Sequence, residues 1–287
     1  KSNRKTLKLL YGYIKIKIYV LCEKRDNMDI KQSSEKQGRP YHLSDSGTVI
    51  KRNFILIPAY ILLQSIVPII VVFGSLGITA MITQQAPPQW LYHFSLSLSF
   101  VIAQGLILVI FYKMHQSVIN DVMKQQWIVA KNKIIKIVIV AIVVYLLLLI
   151  VRVIGTALPY HLSYYLTQYE QRTLGLFKSP YVLLVTFISM VFLRPMVEQI
   201  IYRYLIIHEL GKVWNRQFVI GLSIVIETIV HVYDMASIFE ILPYIVIASA
   251  ATILYIKSRD NLIVAYIFQV ILQCILFIEI LSKYTNF

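Results

Sequence analysis

Arg194-Pro195-Met196-Val197-Glu198-Gln199-Ile200-Ile201-Tyr202-Arg203 sets two guanidinium groups and a carboxylate into a run that is otherwise mostly apolar. Ionisable groups are costly at membrane depth, so they face the interior of a helix bundle or a watery cavity. A second apolar run, residues 218–232, carries Glu227 and His231, and a third, residues 262–278, carries Gln269 and Gln273. Each pair is four residues apart, one helical turn, so its members share a face. Three successive hydrophobic segments that bring polar side chains to one level describe a polar site enclosed by a bundle.

The composition around that stretch is that of a membrane protein: 58% hydrophobic, 15% charged, mean hydropathy +0.68 over 287 residues. The question is the number of spans. A net charge of +14 raises nucleic acid as a partner. The Lys and Arg residues, however, lie in the gaps between apolar runs and form no continuous basic face, which fits cytoplasmic loops and anionic lipid and excludes nucleic acid. The two cysteines, Cys22 and Cys274, support neither a disulfide framework nor zinc-ligand spacing, and Cys274 reads as a small buried apolar residue.

The expected fold is all-α, a polytopic helical membrane protein of about seven transmembrane helices. Residues 1–52 form a basic cytoplasmic N-terminal segment. Within it, residues 9–22 are too short and too lysine-rich to span, and lie on the membrane surface if native. An alternative start at Met28 would make residues 1–27 non-native. Residues 53–287 form the multi-pass domain. Its spans are expected at about 54–82, 90–112, 137–151, 180–203, 218–233, 241–256 and 262–281. Pro87-Pro88 breaks the chain after the first span, residues 113–136 read as a basic connector with Asp121 as its only acid, and Tyr160, Tyr164, Tyr165 and Tyr169 mark an interfacial segment. Pro195 is expected to kink the fourth span beside the polar site.

Orientation follows from the basic residues. Thirteen Lys and Arg fall in residues 1–52, five in 113–136, three in 203–216 and two at Lys257 and Arg259, 23 of the 28 in all. Seven spans place all of these on one side, so the N-terminus is expected in the cytoplasm and the protein in the cell membrane.

With these residues in view, the segment of about 180–280 resembles the CPBP family, the CAAX prenyl protease 2-like and bacteriocin-processing membrane proteins also called Abi. The family's first motif is two glutamates, three residues and an arginine, matched by Glu198-Gln199-Ile200-Ile201-Tyr202-Arg203. Its second, Phe, three residues, His, is matched by Glu227-Thr228-Ile229-Val230-His231. Its third, a histidine followed by Asn in the last helix, falls on Gln269 and Gln273. The resemblance implies a membrane-embedded endopeptidase acting on a peptide or membrane-protein substrate, with roles that include bacteriocin immunity. Glu198 and His231 would activate water, and the last-helix pair would stabilise the oxyanion.

The chain departs from that pattern at four positions: Gln199 for the second glutamate, Glu227 for the phenylalanine, and Gln269 and Gln273 for His and Asn. Water activation needs a base, which Glu198 and His231 supply, and an oxyanion needs donors, which the amides of Gln269 and Gln273 supply. Gln199, Arg203, Glu227 and Arg194 are supporting residues, with Glu227 expected to take over the missing carboxylate and to orient His231 from one turn away. A divalent metal, zinc above all, would draw on Glu198, His231 and Glu227, and the chemistry runs equally without one. The competing readings are a catalytically inactive relative that serves as a membrane scaffold or regulator, and a small transporter, against which no inverted repeat is visible. His93 and His161 show no partner at motif spacing, and His115 and His208 sit in charged connectors and read as solvated.

Overall fold

The computed structural model describes residues 41–43, 47–157, 176–178, 180–232 and 238–285. The chain divides into two units, Lys1–Asp45 and Ser46–Phe287. Residues 1–27, the aromatic segment at 160–169 and His161 lie outside the described residues. The helical bundle belongs to the second unit.

Eight helices make up the described part of that unit, in the order α1 Leu56–Thr83, α2 Gln89–His115, α3 Ile119–Asn132, α4 Ile134–Ala157, α5 Leu183–Lys212, α6 Arg216–His231, α7 Ile241–Lys257 and α8 Leu262–Thr285. The protein is a polytopic helical membrane protein. Helices α1, α2, α4, α5 and α8 are each long and apolar enough to cross a bilayer. The 16 residues of α6 and 17 of α7 reach only about 24–26 Å at 1.5 Å per residue, short of the roughly 30 Å hydrocarbon core. They pack against longer neighbours, α6 beside α5 and α7 against both α6 and α8.

Helices α1 and α2 form a hairpin. Gln84 ends α1 in the left-handed region at φ 52°, and Pro88 precedes the first turn of α2. Ser75 and Ser95 hydroxyls meet at 2.6 Å between them. Only Leu56 and Val72 of α1 are buried, so most of this helix faces outward. In α4 the buried positions Ile137, Ala141, Val144 and Leu148 recur every three or four residues and pack on Ala251 of α7 and Val264, Phe268 and Leu272 of α8. Arg152 of α4 also pairs with Glu279 of α8.

The stretch expected as a basic connector contains a helix. In α3, Ile119, Val122, Gln126, Val129 and Ala130 are buried at helical spacing, whereas Lys124, Trp127 and Lys131 stay exposed. Periodicity overrode charge there: an apolar stripe of this kind has somewhere to dock only once α8 is in place. The Gln126 carbonyl accepts from Asn261 Nδ2 at 3.0 Å, and its side-chain oxygen accepts from Leu262 N at 2.9 Å. Asn261 Oδ1 takes the Val264 N–H at 3.0 Å, so α8 starts on a side-chain cap.

Helix α5 is not a regular α-helix. Residues Ile188–Leu193 and Gln199–Glu209 are π-helical and flank the α-helical Arg194–Glu198. The Arg194 N–H reaches back five residues to Ser189 O, and the Leu210 N–H to Leu205 O. Proline in a straight α-helix clashes with the carbonyl four residues earlier. At Pro195 the chain meets that problem with a wide turn just ahead of it, a device frequent at functional sites.

The lysine- and arginine-rich segments meet at one end of the bundle. The Ile50 N–H donates to Glu209 Oε2 at 3.0 Å, Arg52 Nη2 to Met114 O at 2.8 Å, and Arg216 Nη2 to Asp260 Oδ1 at 2.6 Å. The α7–α8 turn that holds Asp260 puts Arg259 and Asp260 at φ 61° and 56°. His115 is a correction to the sequence reading. It is buried, with Nδ1 3.0 Å from Phe111 O and Nε2 3.0 Å from the Tyr204 hydroxyl, which also accepts from Asn53 Nδ2 at 2.7 Å. His115 ends α2 with the Phe111 carbonyl in reach and Tyr204 opposite, a setting its linear neighbours do not reveal.

Candidate active site

Helix α5 carries Arg194, Glu198, Gln199 and Arg203. Residues 194, 198 and 203 are spaced by four and then five, and the π-helical stretch after Glu198 keeps a five-residue step on one face. Helix α6 contributes Glu227 and His231, and α8 contributes Gln269. All except Arg194 are buried: Glu198 is 6% exposed, Glu227 4%, His231 9%, Gln269 1%, and Gln199 and Arg203 not at all. Charged groups at such depth persist only when paired, since an isolated buried ion costs several kcal/mol or more.

Two ion pairs satisfy them. Arg194 Nε donates to Glu198 Oε1 at 2.8 Å, and His231 Nε2 lies 3.2 Å from that same oxygen. His231 Nδ1 stands 2.7 Å from the Glu227 backbone carbonyl. A carbonyl only accepts, so Nδ1 carries a proton, and the Nε2 contact with Glu198 becomes a hydrogen bond when one further proton sits on the ring or the carboxyl. His231 is the last residue of α6. The Tyr244 ring of α7 covers it at 5.2 Å between centroids.

The second pair corrects an expectation. The Glu227 carboxylate does not orient His231; its Oε2 lies 2.7 Å from Arg203 Nη1, and only its backbone oxygen meets the histidine ring. The i, i+4 spacing allowed a side-chain contact, but a fully buried guanidinium has the stronger claim on the nearest carboxylate. Arg203 Nη2 also donates to Ala248 O of α7 at 3.1 Å.

Gln269 joins the two pairs. Its amide nitrogen lies 3.3 Å from Glu198 Oε2 and 3.4 Å from Glu227 Oε1, and its oxygen accepts from Gln199 Nε2. Both amide hydrogens therefore point at carboxylates. Gln273, one turn on, is half-buried, and among the described residues no hydrogen bond ties it to this cluster. Sequence reasoning missed Tyr244 and the Ala248 carbonyl, which lie in a plain apolar run and carry no spacing signal. It also missed Ser223, whose hydroxyl donates to the Tyr202 carbonyl at 2.9 Å in the π-helical stretch.

The donors do not suit a metal ion. Glu198 faces Arg194, Glu227 faces Arg203, and a divalent cation among Glu198, His231 and Glu227 would compete with two guanidinium groups. Among the described residues no group of three or more His, Cys, Asp or Glu is placed to hold one. Beside the cluster a cavity of about 330 Å³ opens between α2, α3, α5 and α8, lined by Leu108, Phe111, Met123, Met196 and Leu262, with Gln199 on its wall.

Residues 180–275 match the family model of Rce1-like proteins, type II CAAX prenyl endopeptidases. That segment contains every residue of the cluster. No curated protein and no solved structure matches the chain.

Proposed function

We propose that the protein is a membrane-embedded endopeptidase that hydrolyses a peptide bond near the membrane with a water molecule activated by Glu198 and His231. The observation that carries this reading is the contact of His231 Nε2 with Glu198 Oε1 at 3.2 Å, on an oxygen already held by Arg194, inside the segment that matches the endopeptidase family. Water attacks the carbonyl carbon and gives its proton to the Glu198–His231 couple, which passes it to the departing amine nitrogen. The products are a carboxylate and an amine. Arg194 holds the carboxylate in place, and the Glu227 carbonyl fixes the histidine ring. Gln269 spends its amide hydrogens on two carboxylates, which leaves Gln273, one turn further along α8, as the oxyanion donor of this reading. The substrate is a peptide or membrane protein reached from the bilayer, and the protein sits in the cell membrane with its N-terminus cytoplasmic.

The test is incubation of the purified protein in lipid nanodiscs with a library of plain and C-terminally lipidated peptides, with new termini read by mass spectrometry. Glu198→Gln and His231→Ala are each expected to lower cleavage at least about a hundredfold. Cleavage at the parental rate in both variants rejects the mechanism. A second reading, a catalytically silent relative acting as a scaffold, draws on Gln199 and Gln269 standing where the family pattern has Glu and His. Full cellular function in both variants would establish it.

A further inference from the structure

The cavity of about 330 Å³ beside the cluster lies behind the reacting groups. Met196, Gln199 and Ile200 bring α5 to its wall, whereas Glu198 stands two residues from both Met196 and Ile200, near the opposite side of that helix. Leu108 and Met123 add α2 and α3, and the lining is apolar apart from Gln199 and the Tyr112 hydroxyl. Two lining residues of α2, Val109 and Tyr112, are also 50% and 46% exposed, so the cavity reaches the outer surface beside them.

That mouth joins hydrocarbon to positive charge. Val109 belongs to a helix long and apolar enough to cross a bilayer. Lys113, next to Tyr112, and Lys124, next to Met123, are both exposed. One turn beyond Met123 on α3, Trp127 is half exposed, and tryptophan favours the level of the lipid headgroups. The single acid of α3, Asp121, is two residues from Met123 and so lies toward the other side of the helix.

We propose that the cavity is a lipid site: one acyl chain of an anionic phospholipid, from the leaflet at the basic end of the bundle, enters past Val109 and Tyr112, and the phosphate rests between Lys113 and Lys124. An acyl chain supplies the contact atoms that an empty apolar cavity lacks. The lysines select the headgroup, since basic side chains at a membrane surface favour anionic lipid. Inside the cavity the chain packs on Gln199, which donates to the Gln269 oxygen, and so steadies the amide that meets Glu198 and Glu227. This last consequence rests on the endopeptidase reading, and the lipid site does not.

The experiment takes the full chain in a neutral detergent, exchanges it against micelles doped with phosphatidylglycerol, phosphatidylcholine or palmitate, and weighs it intact by native mass spectrometry. The parent is expected to retain about one phosphatidylglycerol per chain, and at least about tenfold less phosphatidylcholine. Met123→Trp fills the cavity and is expected to lower phosphatidylglycerol retention at least about tenfold. Lys113→Glu/Lys124→Glu is expected to remove the preference between the two phospholipids. Equal retention by the parent and Met123→Trp overturns the proposal, as does equal retention of both phospholipids by the parent. Palmitate held as well as phosphatidylglycerol also overturns it, because the occupant would then be a fatty acid. Should Met123→Trp not fold, Val109→Trp at the exposed mouth carries the same expectation. Peptide cleavage by the same proteins is a separate arm. Lipid lost by Met123→Trp with cleavage unchanged keeps the lipid site and removes its link to Gln199, and no cleavage by any of the proteins rejects the endopeptidase reading alone.

Discussion

Single side chains hold the site in place from outside it. Asn261 is buried between α3 and α8, where its side-chain oxygen caps the Val264 N–H and its nitrogen donates to the Gln126 carbonyl. Gln269 lies two turns further along the helix that this cap starts, so the cap sets the height at which its amide meets Glu198 and Glu227. Asn261→Ala is expected to cost about 1–2 kcal/mol, the usual value of a lost N-cap, measured as a lower unfolding midpoint in micelles. Asn261→Asp keeps the cap but sets a carboxylate oxygen against the Gln126 carbonyl, so it should recover only part of that loss. How much was legible at this scale depended on the partner. Glu198 and His231 were readable because each is an ionisable group in an apolar run. The partner of Glu227 was not, because spacing along α6 pointed to His231 and the competing cation, Arg203, comes from another helix.

At the scale of the element, α5 does the most to build the site. Pro195 follows the π-helical turn Ile188–Leu193 by one residue, and side chains just before that turn and at its start are pinned to α2. Thr186 meets Ser97 at 2.9 Å, and Ser189 donates to Gln104 at 2.9 Å. Replacing Pro195 by Ala restores a backbone donor and removes the clash that favours the wide turn. A helix that tightens by one residue there turns Glu198 relative to those anchors by on the order of 100°. Pro195→Ala is therefore expected to keep or raise the unfolding midpoint while lowering peptide cleavage at least about tenfold. A fall in both together would mean that the proline serves stability and not the register of the site. The sequence showed a proline in a span and suggested a kink. The π-helical turn was not readable, because it depends on the hydrogen bonds to α2 as much as on the proline.

For the whole molecule, the consequence is topology. The start of α1, the end of α2, the end of α5 and the α7–α8 turn meet at one end, and these carry Lys51, Arg52, Lys113, Lys212, Arg216, Lys257 and Arg259. In intact cells, with Cys22 and Cys274 replaced, a membrane-impermeant maleimide is expected to label Ala86→Cys in the α1–α2 loop. Lys124→Cys on α3 should react only after permeabilisation. The reverse pattern would invert the protein in its membrane and reject a cytoplasmic N-terminus. Cys274, half-buried beside Phe177 and Phe277, packs as the small apolar residue its surroundings in the sequence suggested.

The sequence by itself determined that this is an all-helical membrane protein, where most of its spans begin and end, and which three segments carry the polar residues. Those properties follow from hydrophobic runs, helix breakers and period, all of them local. The tertiary structure decided which charges pair, that the stretch after α2 folds into an amphipathic helix, that His115 is buried, and that α5 widens around Pro195. Each depends on groups distant in the chain. A buried ion takes the counter-charge that packing brings closest, and an apolar stripe becomes a helix face only when another helix is there to cover it.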